Sequence, residues 1–364
     1  MRMTVSGSDL NKNISSLISI TKSDRSTFVV REGKAYVIAQ TYRGYARIKF
    51  DLAKEGSDDG SCTLNNEVLL KAIKGRRGAI TLRVNDESNE ILVTDITKSN
   101  KFICKMKTLE AESASPPNVK NKVTLNTNLQ KKIYEAIECI KIANIFDTNV
   151  GIDVNISVKD SEIRAYATDK LHLARYVDDV ESDVNIDLNI SLDLLMKIKK
   201  IAENRPYSIN VDEKGVLTKN DRFTIFTPTY QTHDLGKNVD AVLSGIKELG
   251  DVPYFTVGSD LFESNLFNTL SVYIDGSIVS IKPDDKGKNM RLHCSTSTGE
   301  VRNEIHVEEC TWGKREQVEL NPHLVLDVLR LMKSDLIFIE KYENFIVIRS
   351  EDKQVLYVIS CFLQ

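Results

Sequence analysis

The chain has 364 residues, of which 41% are hydrophobic, and its 49 Lys and Arg against 52 Asp and Glu give a formal net charge of −3. This composition excludes a disordered or collagen-like chain, and the length predicts two or three globular domains. A net charge near zero gives no indication of nucleic-acid binding, although it does not report which face of the protein carries the cations.

No apolar run reaches the roughly 18 residues that a membrane span needs, and the first residues lack the apolar stretch of a signal peptide. We therefore expect a soluble protein that is not secreted. The six cysteines are scattered and form no Cys-x-x-Cys pair, which is typical of free thiols in a reducing compartment.

Three helix-start signals recur along the chain. Residues 7–10 read Gly-Ser-Asp-Leu and are repeated at 258–261, while residues 126–129 read Asn-Thr-Asn-Leu. Each signal is followed by apolar residues at helical spacing. A short polar side chain before such a run is typical of a helix N-cap, because its oxygen can accept from the unpaired backbone N–H groups of the first turn.

A second signal, the dipeptide Leu-Asn, begins at residues 64, 188 and 320, each time before another amphipathic helix and at a nearly constant distance from the first helix. The segments between and after the helices alternate apolar and polar residues, which predicts strands. Within them, residues 39–47 align with residues 167–175 and share two alanines and the final arginine.

These phased repeats predict an α+β fold of three repeated modules, each with two helices and several strands. The predicted modules are residues 1–112, 119–237 and 252–364. Residues 111–118, with paired prolines, and residues 236–253, with three glycines, are predicted to be the connections.

The sequence contains no catalytic or metal-binding motif. Gly-x-Ser-x-Gly, His-Glu-x-x-His and the phosphate-binding P-loop are absent, and the five histidines lie at spacings that no metal site favours. We therefore expect no enzymatic activity, no catalytic residue, no bound metal and no cofactor.

Basic residues recur on one side of the predicted second helices and just after them. For any single helix, a solvated face with Glu–Lys pairs at i, i+4 is the simpler interpretation. If equivalent helices face one axis, however, they form a continuous basic lining that holds duplex DNA without reading its sequence. The predicted DNA-facing residues are Lys71, Lys74, Arg76, Arg77, Lys131, Lys132, Lys197, Lys199, Lys200, Arg205, Arg330 and Lys333. The lining of module three is expected to be the least basic.

Three segments carry a resemblance to a known family. They are residues 162–174, which include Ala-Thr-Asp-Lys-Leu-His-Leu-Ala, residues 320–329, which begin Leu-Asn-Pro-His, and the apolar segment 357–364. In their order and spacing they resemble the bacterial DNA polymerase III beta subunit, the beta sliding clamp, over essentially the whole chain. The limited identity indicates a divergent and possibly phage-encoded member.

The resemblance implies the DNA-clamp fold, with each module's two helices packed on antiparallel sheets and six modules of a homodimer assembled into a ring. It also implies a partner-peptide pocket, in which Lys170 and Leu171 replace the family's Gly-His and Ser360 replaces an apolar residue. The implied pocket residues are Thr168, Lys170, Leu171, Leu173, Val239, Val242, Val358, Ser360 and Phe362. Phe267 and Leu270 are candidate contacts of the dimer interface.

The leading hypothesis is a cytoplasmic processivity factor, in a bacterium or in an infected host, that encircles double-stranded DNA. It would bind a replicative polymerase and a clamp loader through short peptide motifs. The alternative is a repeat-built protein-interaction scaffold that binds replication or other partners without encircling DNA. Under the leading hypothesis, the cations line the hole and the acidic excess lies on the outer sheets.

Overall fold

The structure is a computed structural model that describes residues 1–53, 57–85, 88–96, 101–110, 115–119, 122–141, 153–168, 172–202, 205–212, 214–228, 235–274 and 277–361. The described residues contain seven α-helices. They are α1 (Gly7–Thr21), α2 (Asn66–Ile73), α3 (Thr127–Ile140), α4 (Leu192–Ala202), α5 (Leu235–Ser244), α6 (Ser259–Thr269) and α7 (Pro322–Leu331).

The strands of the first half of the chain are β1 (Arg2–Ser6), β2 (Arg25–Arg31), β3 (Lys34–Thr41), β4 (Gly44–Phe50), β5 (Gly60–Asn65), β6 (Ala79–Asn85), β7 (Glu90–Ile96), β8 (Lys101–Lys107), β9 (Lys122–Leu125), β10 (Asp153–Lys159), β11 (Glu162–Thr168) and β12 (His172–Asp179).

The strands of the second half are β13 (Ile186–Ser191), β14 (Tyr207–Asp212), β15 (Gly215–Lys219), β16 (Phe223–Pro228), β17 (Tyr254–Gly258), β18 (Val279–Pro283), β19 (Asn289–Thr296), β20 (Gly299–His306), β21 (Glu309–Cys310), β22 (Val318–Leu320), β23 (Leu336–Lys341), β24 (Phe345–Ser350) and β25 (Val355–Ser360).

All six helices that the repeats predict are present, but only some use the expected cap. Asn65 and Asn321, from the Leu-Asn dipeptides, accept hydrogen bonds from the backbone N–H groups of Val68 and His323, both at 3.0 Å. The Ser-Asp capping prediction is wrong for α1 and α6. These helices begin directly after Ser6 and Gly258, neither of which makes a side-chain cap bond. Their aspartates lie inside the first turn, where negative charge favours the helix dipole.

Helix α5 was not predicted. It occupies part of residues 236–253, where the glycines indicated a connection, and it contains Val239 and Val242, which the sequence placed in a loop. Val239 and Leu243 are four residues apart and both pack against one apolar cluster. Burial of this apolar face stabilises a helix that local propensity alone would not favour.

Two compact units make up the chain. Unit one comprises Met1–Thr127 and Leu194–Gln231, and unit two comprises Asn128–Asp193 and Thr232–Gln364. Each unit contains residues from the predicted second module, because sheets run across the predicted module boundaries. The division into three modules therefore stays a prediction.

Unit one contains two antiparallel sheets, one of four strands (β1-β6-β7-β8) and one of eight (β5-β2-β3-β4-β16-β15-β14-β9). Helix α1 contacts β3, β4 and α2, and its Leu10, Ile14 and Leu17 are fully buried. Strands from the first and second sequence repeats meet at the pairing of β4 with β16, where Tyr45 lies opposite Phe226. We call this pairing the unit-one seam.

Unit two contains an antiparallel sheet of nine strands (β13-β10-β11-β12-β25-β24-β23-β17-β21) and one of four (β20-β19-β18-β22). Strands from the second and third repeats meet at the pairing of β12 with β25, where Leu173 lies opposite Val358. We call this pairing the unit-two seam. Helix α7 contacts β25, and α6 contacts α7 and β20.

The two seams confirm the alignment of residues 39–47 with residues 167–175. Ala39 pairs with Ala46 in the β3–β4 hairpin, and Ala167 pairs with Ala174 in the β11–β12 hairpin. Each hairpin then joins a strand of the following repeat in the same register. The six cysteines all lie in the described part of the chain and are free thiols, as their spacing predicts.

Gly215, at the start of β15, lies where neighbouring strands of unit one approach each other closely. Its φ is +151°, and a Cβ added there would lie 2.2 Å from the carbonyl oxygen of Thr227. We expect Gly215→Ala to lower the free energy of unfolding by more than about 2 kcal/mol, because the backbone has to move. Denaturant-induced unfolding followed by circular dichroism measures this change.

Gly33→Ala is the matched control. Gly33 has a φ of +70° but no atom within 4 Å of its added Cβ, so only backbone strain of about 1 kcal/mol is expected. Equal losses in the two variants would contradict the predicted clash at Gly215.

Candidate functional site

Three predicted cations in and after α2 have different surroundings. The Lys71 ammonium donates to Glu67 at 2.6 Å, an i, i+4 pair in which both side chains are 75% exposed. Lys74 and Arg77 are exposed and make no ion pair with residues that the structure describes. Such exposed cations keep their charge available to an anionic ligand, because exposed pairs are weak.

Arg76, by contrast, is held within unit one. Its guanidinium lies 3.5 Å from the centroid of the Phe102 ring, and Nη1 donates to Asp95 at 3.3 Å. Nε also donates to the carbonyl oxygen of Ala72 at 3.2 Å. Sequence position grouped Arg76 with Arg77, but the structure places it in stacking and hydrogen-bond contacts with the β7–β8 sheet.

The predicted cations of α3 differ in the same way. Lys131 is exposed and lies 3.7 Å from Glu135, one turn along the helix. Lys132 donates to a carboxylate oxygen of Asp178, which also accepts from the Tyr176 hydroxyl at 2.9 Å. Lys132 therefore belongs to a polar network of unit two.

On α4, Lys197 donates at 2.9 Å to the carbonyl oxygen of Ser19, near the end of α1. Lys199 is half-buried and Lys200 is exposed. Arg205, just beyond the helix, lies 3.8 Å from Asp221. Lys200 is the most open cation of this group.

In the third repeat, Arg330 lies 3.1 Å from Glu263 and 3.6 Å from Asp327. Burial raises the pKa of Asp327, and the charges of Arg330 and His323 oppose that rise. Lys333, after α7, is exposed and makes no ion pair with the described residues. Arg205 and Arg330 are also exposed, but each lies near a carboxylate from another segment of the chain. The other exposed members of the predicted set, which we call the exposed helix cations, are Lys71, Lys74, Arg77, Lys131, Lys200 and Lys333.

An apolar cluster covers one face of the unit-two seam. We call it the unit-two cluster, and its buried members are Tyr166, Leu173, Val239, Val347, Leu356 and Val358. Leu173 and Val358 form the middle of its floor and are 5% and 6% exposed. Alternation along the paired strands puts them on the same face as Leu356 and Val347.

Partly exposed apolar side chains surround this floor. Leu243 and Ile246 approach from α5 and the turn after it, and Tyr342 stacks on Phe345 with ring centroids 4.6 Å apart. Val242 is 46% exposed. The result is a buried floor with an apolar rim, which is the geometry that accepts apolar side chains from a ligand.

The remaining predicted pocket residues lie at the ends of these strands. The hydroxyl of Thr168 donates at 2.6 Å to the carbonyl oxygen of His172 across the β11–β12 hairpin. Ser360 pairs in register with Phe345. Lys170, Leu171 and Phe362 lie outside the described residues.

Sequence reasoning missed several members of the cluster. Tyr166 and Leu356 lie two residues from Thr168 and Val358, so strand alternation could have identified them. Phe345, Val347 and Tyr342 come from β24 and the turn before it, and no sequence signal joins them to the pocket. Only the pairing of β24 with β25 brings them there.

Beside the cluster, Arg349 and Glu340 form a buried bidentate ion pair. Nε and Nη2 of Arg349 donate to the two carboxylate oxygens at 3.0 and 2.9 Å, and Glu340 is fully buried. Nη2 also donates at 2.9 Å to the carbonyl oxygen of Lys247. Removing either partner would leave an uncompensated buried charge, so this pair constrains the backbone after α5.

The two candidate interface residues lie beside the edge strand of unit two. Phe267, on α6, is 55% exposed, and Leu270 begins a short 3-10 helix, Leu270–Val272, where it is half-buried. Helix α6 packs against β20, which is the outer strand of its sheet. An exposed Phe beside an open strand edge is typical of a contact surface.

Within the described residues, no group of three or more potential metal ligands comes together. No helix in the described part of the chain is long and apolar enough to cross a membrane.

Lys132 and Lys131 are neighbours whose replacement is expected to affect stability to different extents. Burial alone would raise the pKa of Asp178, but hydrogen bonds from Lys132 and Tyr176 outweigh it and lower that pKa. We expect Lys132→Met to lower the free energy of unfolding at pH 7 by about 1–2 kcal/mol, since partial exposure screens the pair. Lys131→Met should cost less than about 0.5 kcal/mol.

The loss in Lys132→Met should depend on pH. A lowered carboxylate pKa stabilises the fold above the unfolded value of about 3.9, and this contribution disappears as pH falls through the folded pKa. Unfolding curves between pH 7 and pH 2 measure the difference between variant and parent. A difference that persists unchanged at the acid end would contradict the role given to Asp178.

No protein-family model and no curated protein sequence matches the chain. Among solved structures, it is similar to the DNA polymerase III beta subunit of Thermotoga maritima, with 16% identity, a TM-score of 0.77, and 100% and 99% of the two chains covered. The DNA polymerase sliding clamp of Bacillus subtilis gives 16% identity, a TM-score of 0.75 and the same coverage. A sliding clamp from Pseudomonas aeruginosa bound to griselimycin gives 14% identity and a TM-score of 0.79, with both chains fully covered.

These likenesses cover the whole of each chain, so they confirm at the level of the fold the resemblance that the sequence indicated. The identity of 14–16% is that expected of a divergent member. The chain therefore has the α+β fold of the DNA polymerase III beta subunit sliding clamps.

Proposed function

We propose that this protein is a DNA sliding clamp, a non-enzymatic processivity factor of the cytoplasm that encircles duplex DNA and tethers a replicative polymerase. The observation that carries the proposal is the likeness to sliding clamps over 100% of this chain and at least 99% of theirs. A match that covered one repeat alone would support only a shared module.

The exposed helix cations support the DNA-binding part of the proposal. Lys71 lies on the second helix of the first repeat, and Lys74 and Arg77 follow that helix. Lys200 lies on the second helix of the second repeat, and Lys333 follows that of the third. In a ring of equivalent repeats, these helices would face one axis. Phosphate contacts made by such cations position DNA without reading its sequence.

Ring closure is proposed to join β8 of one subunit to β20 of the next. Both are outer strands of four-stranded sheets, and an open edge readily pairs with another chain. Strand β8 exposes lysines and Ile103, while β20 exposes Glu300 and Glu304 together with Arg302 and His306. Phe267 would extend this contact with apolar area.

The unit-two cluster is proposed as the docking groove for short segments of the polymerase, the clamp loader and other replication proteins. Two or three partner side chains, each contributing about 1.5–3 kcal/mol when buried, would give roughly micromolar binding after ordering costs. Affinity in that range allows partners to exchange on one clamp.

Primer extension on a long template, with the polymerase and clamp loader of the same source, tests the function. The protein should lengthen the products made in one binding event. Reversing Lys74, Arg77 and Lys200 to Glu should abolish this gain, because the three exposed cations would repel the DNA backbone. Product length on a denaturing gel is the measurement.

The matched control reverses Lys34, Lys214 and Lys219 to Glu. These lysines are exposed on strands and turns of the same unit, so the net charge changes equally. The control should behave as the parent. If adding the parent protein leaves the product length unchanged, the clamp is ruled out. If partners bind but the two triple variants reduce product length equally, the scaffold is favoured.

The oligomeric state tests ring closure. Light scattering should give twice the 41.1 kDa chain mass, and Phe267→Asp should shift the protein toward the monomer by placing a charge in the proposed contact. Leu261→Asp, on the same helix and 45% exposed, is the control and should stay dimeric. A parent protein that remains monomeric at all concentrations contradicts closure as proposed.

A further inference from the structure

Arg175 lies on the floor of the unit-two cluster, between apolar residues. It pairs in register with Tyr166 on β11 and with Leu356 on β25, and Leu356 in turn pairs with Arg349 on β24. Both neighbours of Arg175 belong to the buried cluster. Arg175 is half-buried, and its strand pairing puts it on the same face of the sheet as the cluster that is proposed to receive partner segments.

The charge of Arg175 has no matching carboxylate partner in the described structure. Its Nε is buried and makes no hydrogen bond with the residues that the structure describes. The two arginines whose charges act on it each have a carboxylate of their own: Arg349 is paired with Glu340, and Arg164 with Glu162. One cation of this group therefore remains uncompensated.

Physical chemistry makes this arrangement costly for the protein alone. A buried donor that loses water and gains no acceptor destabilises the fold, and two neighbouring positive charges add repulsion. Burial lowers the pKa of Arg175, and the charge of Arg349 lowers it further. An arginine nevertheless stays protonated at neutral pH, so the groove retains a positive charge that an incoming carboxylate can neutralise.

The equivalent arginine in unit one shows what a satisfied side chain looks like at this position. Arg47 pairs with Ile38 and Thr224 in the same register. Its guanidinium lies 5.1 Å from the Tyr36 ring centroid, and Nη2 donates to the Thr224 hydroxyl at 3.3 Å. In unit two, Arg164 stands at the position of Tyr36 and Leu356 at that of Thr224, so both partners are missing.

The apolar side chains at the two seams also differ in size. Tyr45 and Phe226 occupy in unit one the positions of Leu173 and Val358, and they pack with Leu217 and Val119. Larger aromatic side chains thus fill the unit-one floor from within the chain. Unit two combines a smaller floor with an arginine that lacks a partner, which is the arrangement of a site completed by a ligand.

We propose that Arg175 is the anion-recognition residue of the unit-two cluster, and that the partner segment docked there carries an Asp or Glu carboxylate beside its apolar side chains. This inference rests on the proposed docking role of the cluster and specifies its chemistry. The carboxylate accepts hydrogen bonds from the Arg175 guanidinium while the apolar side chains contact Leu173 and Val358. A planar guanidinium suits such a bidentate contact better than an ammonium.

The test uses the full chain and a set of synthetic hexapeptides. Each peptide has acetylated and amidated ends, two leucines at fixed positions and one Glu moved through the others, and each has a twin with Gln in place of Glu. Binding is measured by fluorescence anisotropy. The best Glu peptide should bind at least about tenfold more tightly than its twin, and this ratio should fall as salt increases.

Three variants assign the preference to one residue. Arg175→Gln should reduce the ratio of Glu to Gln binding below about twofold while leaving the affinity of the Gln twin within about threefold of the parent. Arg175→Lys keeps the charge and should retain part of the ratio. Arg47→Gln, the equivalent change in unit one, should leave the full ratio, and thermal melts check that all three variants are folded.

The outcomes separate this inference from the proposed function. If the Glu peptide and its Gln twin bind the parent protein equally, wherever the Glu is placed, the role of Arg175 is overturned. Apolar docking is then unaffected. A preference that survives in Arg175→Gln also overturns that role. If no peptide of either kind binds, the inference fails together with the docking role of the cluster, whereas primer extension still tests the clamp by itself.

Discussion

Antiparallel pairing at the two seams is the constraint on which the other features depend. At each seam, a hairpin of one repeat accepts a strand of the next, with Tyr45 opposite Phe226 in unit one and Leu173 opposite Val358 in unit two. A shift of one residue would turn every side chain of the joining strand to the other face. The register therefore decides which residues form a floor, which side chains face the helices and where α5 can pack.

The surroundings of the basic side chains show that sequence position alone does not identify a DNA contact. Lys131 and Lys132 are adjacent, yet Lys131 extends into solvent and Lys132 is bound by Asp178 of β12. Arg76 and Arg77 differ in the same way, since only Arg76 reaches Phe102 and Asp95. A cation that stabilises a sheet cannot also move to follow a phosphate, so the proposal of DNA contacts is restricted to the exposed helix cations.

Much of the fold could be predicted because the same sequence signals recur in each of the three repeats. The three helix-start signals, the Leu-Asn dipeptides and the hairpin alignment predict six helices and the strands between them, and repetition makes each signal stronger. Helix α5 escaped prediction because its glycine-rich surroundings argue locally for a loop, while burial of Val239 favours the helix. The Ser-Asp caps failed because α1 begins at Gly7 and α6 at Ser259, so the serine and aspartate of each signal fall inside the first turn and Ser6 and Gly258 take the N-cap positions.

The candidate site could be predicted only in part, for a related reason. Leu173 and Val358 could be placed through the resemblance. Phe345 and Val347 join the cluster, and Arg349 lies beside it, only through strand pairing, which leaves no local signal. Comparing the two seams reveals a difference between equivalent arginines that neither the sequence nor one site alone shows. Equivalent positions hold Arg47 above Tyr36 in unit one, and Arg175 beside Arg164 in unit two. Because the backbone pairing is the same, the difference lies in the side chains alone, and it separates a seam that is complete within the chain from one that we propose a partner completes.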